Sequence, residues 1–119
     1  MKIAFNALLV MSFLLETLAA VSLITGPEGL SAAGQGEMWS MHYGFAALAV
    51  ASFSLWVWPK RNVAEVITPA LGFLLTFHAG LVVSLAAAGD QQGGLISHSI
   101  LAVLALTLFL LRRRLIEPA

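Results

Sequence analysis

Four long apolar runs, at residues 3–25, 39–58, 66–88 and 95–111, constrain this chain more than any other feature. A helix needs about 20 mainly apolar residues to cross roughly 30 Å of hydrocarbon, and each run supplies one crossing. The fourth is the shortest, and Arg112, Arg113 and Arg114 behind it can snorkel to the interface. The breaks are turn signals: Gly26-Pro27-Glu28-Gly29, Pro59-Lys60-Arg61-Asn62, and the polar, glycine-rich stretch from Gly89 to Gly94. The chain is 60% hydrophobic and only 10% charged, with the apolar residues gathered in blocks rather than spread as a soluble core requires. The expected architecture is all-α: a four-helix up-down transmembrane bundle, a single membrane domain over residues 1–119, with the lipid bilayer as its first partner.

Charge placement orients that bundle. Lys2, Lys60, Arg61 and the three arginines are all the basic residues present, and four spans put every one on the same side. Glu28, Glu37 and Asp90 fall in the two opposite loops. The positive-inside rule then places both termini in the cytoplasm, as expected for a multi-pass protein of a bacterial inner or plasma membrane. Trp39, Trp56 and Trp58 near span ends read as interfacial anchors. Lys2 followed by apolar residues is also how a signal peptide begins, but the stretch outruns a usual h-region and Glu16 interrupts it, which suits a retained helix. The absence of Cys excludes disulfides, thiolate ligands, iron–sulfur clusters and c-type haem attachment. A formal net charge of zero, with no basic patch beyond the loops, gives no case for nucleic acid.

An internal repeat runs through the chain. Segments two and four align without gaps, so that His42, Ala46, Ala49 and Phe53 match His98, Ala102, Ala105 and Phe109. Offsets of four, seven and eleven lie along one helical face. Segments one and three are also similar, in two competing registers: one matches Phe13-Leu14-Leu15 with Phe73-Leu74-Leu75, and the other matches Val21-Ser22-Leu23 with Val83-Ser84-Leu85 and pairs Glu16 with His78. The bundle is therefore expected to consist of two duplicated helical hairpins, 3–58 and 66–116, related as a parallel repeat.

Ionisable groups inside a span are costly unless paired or hydrated, and they normally face a bundle interior or a cavity. Glu16, His42, His78 and His98 are such groups here. Counted at about 1.5 Å per residue, Glu16 and His78 lie roughly 15 Å below the loops that follow them, and His42 and His98 roughly 6–9 Å below theirs. The expectation is two layers, with Glu16 as an ion-pair partner for His78. Helices on the diagonal of a simple bundle, roughly 14 Å apart, leave room for a flat macrocycle between His42 and His98, which makes bis-His haem b the expected cofactor. The plainer alternative is that small residues pack helices closely and each His hydrogen-bonds a neighbouring helix. A zinc or copper site built from His and Glu is a further alternative, against which the two-layer separation argues.

Two resemblances bear on function. Thr25-Gly26 closing the first span and Trp39-x-x-His42-x-Gly44 opening the second resemble the start of small membrane-embedded b-type cytochromes, over about a fifth of the chain. That resemblance implies His42 as a haem ligand and electron transfer to a membrane redox partner or quinone. Where such proteins commonly carry a second His four turns on, this chain has Trp56. Length, four spans and Glu16 in the first helix are similar to the small multidrug-resistance exporters, which implies proton-coupled antiport by a dimer. The long loop at 27–40, the three membrane histidines and the triple-Arg tail depart from that pattern. A third class is an accessory subunit in a homo- or hetero-oligomeric membrane complex. No nucleophile–base pair, phosphate-binding Gly loop or metallohydrolase motif marks an enzyme.

Overall fold

The computed structural model describes residues 1–27, 39–89 and 91–116, so the loop acids Glu28, Glu37 and Asp90 lie outside the described residues. The chain is all-α, with no strand among the described residues. Four long helices carry it: α1 (Lys2–Thr25), α2 (Trp39–Val57), α3 (Ala64–Ala88) and α4 (Gln92–Leu110). A short α5 (Arg113–Ile116) follows. All four long helices have the length and apolarity of membrane spans. At about 1.5 Å per residue, the 19-residue α4 is about 28 Å long and the 25-residue α3 about 37 Å.

Each helix stops for a local reason. α1 ends where Thr25 returns its hydroxyl to the Val21 carbonyl at 2.7 Å, just before Gly26 and Pro27. α2 tightens into a 3-10 turn over Trp58–Lys60 around Pro59, which has no N–H with which to continue the α-helical ladder. α3 tolerates Pro69 near its start and closes at Gly89, whose φ of 76° lies in the left-handed region and whose N–H reaches the Leu85 carbonyl at 3.0 Å. α4 ends where Arg112 donates to the Phe109 carbonyl at 2.9 Å and lays its guanidinium over the Phe109 ring, 4.7 Å from the centroid. That contact covers a terminal carbonyl and shelters the cation at once.

The chain divides into two compact units, residues 9–58 and residues 59–119 together with 1–8. In the first, α1 and α2 approach closely at Gly44, where an added Cβ would stand 2.8 Å from Ile24 Cγ1 and 3.2 Å from the Ile24 nitrogen. The buried face of α2 is Gly44, Ala47, Val50, Ala51, Ser54 and Val57, mostly small residues at helical spacing. In the second unit, α3 and α4 form an antiparallel hairpin whose register is marked at both ends. Gly94 sits against Leu85 near the connecting turn, and Gly72 sits against Phe109 near the far end.

Polarity is inverted relative to a water-soluble core. Ser12, Glu16, Ser54, His78 and His98 are buried, whereas Leu18, Trp56, Val83 and Leu110 are 67%, 78%, 72% and 68% exposed. Apolar side chains outward and polar ones inward is the arrangement hydrocarbon favours. This is a multi-pass membrane protein.

Candidate metal centre

The α3/α4 hairpin brings two of the sequence-derived site residues into direct contact. His78 and His98 face each other with their Nδ1 atoms 2.9 Å apart, both rings buried. The ring centroids are 5.2 Å apart and the planes tilted by 35°. Phe77 stands edge-on to both, its centroid 5.2 Å from His78 and 6.2 Å from His98. Only one of two facing Nδ1 atoms can carry the hydrogen between them, so one ring donates and the other accepts. In the uncharged pair the accepting ring bears its own proton on Nε2, and the two histidines are opposite tautomers.

This contact corrects the two-layer expectation, which set His98 beside His42 and placed His78 deeper. Helix length alone does not remove the offset: α4 begins at Gln92 rather than at Leu95, which puts His98 about 9 Å from the turn, the deep end of the expected range, while His78 stands about 15 Å from the end of α3 at Ala88. The two imidazoles span the remaining difference of about 6 Å, and their rings meet between the Leu85/Gly94 and Gly72/Phe109 contacts.

The other two residues sit in the α1/α2 unit. Glu16 is fully buried on α1. His42 lies on the exposed side of α2, away from the face headed by Gly44. The stripe matched between α2 and α4 is thus not used alike. His98 and Ala105 are buried on α4, whereas His42, Ala46 and Ala49 are exposed on α2. Sequence reasoning did not single out Phe77, because its neighbour along a helix points about 100° away and only a long ring reaches back over the pair.

Facing imidazoles can share a proton or, with that proton gone, offer two lone pairs to a metal. In a tetrahedral site with metal–nitrogen bonds of about 2.0 Å, two nitrogens stand about 3.3 Å apart. The observed 2.9 Å needs only a few tenths of an ångström of opening. A haem iron bonded to both histidines would instead hold the nitrogens about 4 Å apart on opposite faces, with the macrocycle between them. Rings in direct contact do not fit that arrangement. Comparison with protein families, with characterised proteins and with solved structures gives no match to this chain.

Proposed function

We propose that this membrane protein holds a transition-metal ion inside the bilayer, with Nδ1 of His78 and Nδ1 of His98 as neighbouring ligands. The observation that carries this reading is the buried 2.9 Å contact between those nitrogens. Placing both imidazoles on one level also removes the separation that told against a small-ion site. Imidazole ligands without thiolate suit copper, zinc, nickel or iron, and two of them make half of a four-coordinate shell. The chain would supply ligands fixed on two packed helices and a low-dielectric surround; a copper or iron ion would supply one-electron chemistry within the membrane.

The second reading is haem b, favoured by the cytochrome-like residues around His42 and by the orientation of His98. A metal-bound imidazole commonly bonds through its other ring nitrogen to a partner that fixes its tautomer. His78 would be that positioning residue, with His98 Nε2 as the ligand. Proton-coupled transport, the reading attached to Glu16, rests on that residue's complete burial in the first span.

One preparation separates the first two. Protein carrying no histidine tag, purified in mild detergent, is analysed for metals and scanned before and after dithionite. A stoichiometric ion without a Soret band, lost in both His78→Ala and His98→Ala and kept in His42→Ala, supports the small-ion centre. A Soret band lost in His98→Ala and His42→Ala, and only shifted in redox potential by His78→Asn, supports haem. Neither metal nor haem after supplementation with both would end both readings.

A further inference from the structure

The basic residues at the shared end of α3 and α4 are held in place by the fold. α4 stops at Leu110, the chain turns at Leu111 and Arg112, and α5 packs back against α3. Leu115 of α5 is buried and anchors that packing. Backbone bonds fix the turn: the Arg114 N–H reaches the Leu111 carbonyl at 3.0 Å, and the Leu115 and Ile116 N–H groups reach the Arg112 carbonyl at 2.9 and 3.2 Å. Arg112 is itself held by the Phe109 carbonyl and ring. On the α3 side, Lys60 ends the 3-10 turn around Pro59, and the Val63 N–H closes on its carbonyl at 2.9 Å just before α3 begins. Lys60, Arg61, Arg112, Arg113 and Arg114 thus gather at one end of the α3/α4 unit, where the sequence supplies as acids only Glu65 and, outside the described residues, Glu117. Lys60, Arg113 and Arg114 are exposed and have no ion-pair partner among the described residues. Snorkelling alone asks for no such strap, since arginines on a free tail would reach the interface as well.

We propose that this strapped basic end binds the headgroup phosphate of an anionic phospholipid, one lipid per chain, with Arg113 and Arg114 on α5 as its principal partners and Lys60 and Arg61 adding to the positive field. A guanidinium presents a planar fork of N–H donors that suits phosphate oxygens, and in Arg113 and Arg114 the protein leaves those donors to the surroundings. Exposed Leu110 and Leu111 run directly into Arg112, so a surface for acyl chains is continuous with the surface for phosphate. Trp58, in the same 3-10 turn as Lys60, is exposed as an interfacial anchor is, which sets these cations at headgroup depth. Clusters of Lys and Arg directly beside membrane helices are the usual recognition element for anionic lipid. A soluble acidic peptide or a nucleic acid would have no use for the apolar margin.

The site stands apart from the histidine pair, since α4 continues about 18 Å beyond His98, and it does not depend on a metal being bound there. Its test reads Trp58 fluorescence in the full-length protein carrying Trp39→Phe and Trp56→Phe, reconstituted in phosphatidylcholine bilayers. Brominated phosphatidylglycerol and brominated phosphatidylcholine, which quench on contact, report the relative association of the two lipids. Phosphatidylglycerol should be preferred several-fold, and the preference should shrink as salt is added. Arg113→Gln and Arg114→Gln should each lower it by up to about fivefold, the worth of one cation at an anionic surface, and Arg113→Lys should retain most of it. Leu115→Ser is the decisive variant, because it keeps every charge and removes only the anchor. Loss of most of the preference there supports a site built by α5, whereas an unchanged preference would overturn it and leave a diffuse attraction. Glycerol phosphate should displace the lipid no better than sodium chloride at equal ionic strength, and a specific effect would overturn the lipid as occupant. Equal quenching by the two lipids with every basic residue in place would overturn the proposal without reference to the folding of the arginine or leucine variants.

Discussion

His78 and His98 meet through like nitrogens, Nδ1 to Nδ1 at 2.9 Å, so each ring settles the tautomer of the other. Two packed helices are thereby coupled by a polar contact in surroundings where water is scarce, and the coupling is measurable. Removing one imidazole leaves the other without this bond, at a cost of about 1–3 kcal/mol. Replacing both by apolar residues removes the demand itself. In chelator-treated protein, His78→Leu and His98→Leu should each destabilise the fold by about that amount, and the double variant by clearly less than their sum. Unfolding in a denaturing detergent mixture gives the three values. Strict additivity would mean that the two rings do not depend on each other.

Gly44 and Gly80 make a matched pair of glycines in membrane helices. A Cβ at Gly44 would come within 3.2 Å or less of three Ile24 and Leu23 atoms, one of them backbone, whereas at Gly80 it would meet nothing within 4 Å. Gly44→Ala should therefore force α1 and α2 apart and cost about 1–3 kcal/mol. Gly80→Ala should be neutral or stabilising by up to about 1 kcal/mol, since a helical Gly gives up more chain entropy than Ala. The same unfolding assay ranks them, and equal costs would show that α1 and α2 do not approach at Gly44.

The four helices were legible because hydropathy is a local property: every span could be read from its own residues, with boundaries off by only a few positions. The candidate site was legible in its residues but not in its pairing. His78 and His98 stood out as imidazoles in apolar runs, yet counting residues from the turn gives only their backbone depths, about 6 Å apart, and not the reach of two imidazoles across that difference. Glycine signals a turn in sequence, but Gly93 and Gly94 lie in α4, and among the described residues the left-handed conformation is taken at Gly89 alone. The repeat misled for a different reason. A match between His42 and His98 records similar residues, and it does not dictate which face of each helix the surrounding chain covers. In α2, Gly44 heads the buried face because close approach to Ile24 requires a residue without a side chain.

The distribution of Lys and Arg predicts that the turn near Lys60 and the segment from Arg112 lie on the cytoplasmic side, and that the α3/α4 turn lies on the other. Single cysteines are easily placed because the chain has none. Lys60→Cys and Arg113→Cys should resist a membrane-impermeant maleimide added to intact cells, and Gln91→Cys should react. Labelling of all three from one side would refute the topology.

Glu16 provides the last discrimination. A carboxyl group fully buried in a membrane span is costly to keep, so its retention calls for a ligand, a proton carrier or a hydrogen-bonding role. Glu16→Gln preserves the shape and the capacity to hydrogen-bond but cannot exchange a proton. If the metal is held by the histidines, the variant should keep a stoichiometric ion and the wild-type optical or paramagnetic signature, with at most a modest loss of affinity. Vesicles containing wild-type protein should then pass protons no faster than vesicles containing the variant when a pH gradient is imposed across a pyranine-loaded interior. Faster dissipation by wild type, lost in Glu16→Gln and restored in Glu16→Asp, would establish proton-coupled transport in place of the metal reading. Loss of the ion together with its spectral signature, without any change in proton flux, would make Glu16 a ligand in its own right. Loss of neither would leave it a hydrogen-bonding role within the helices.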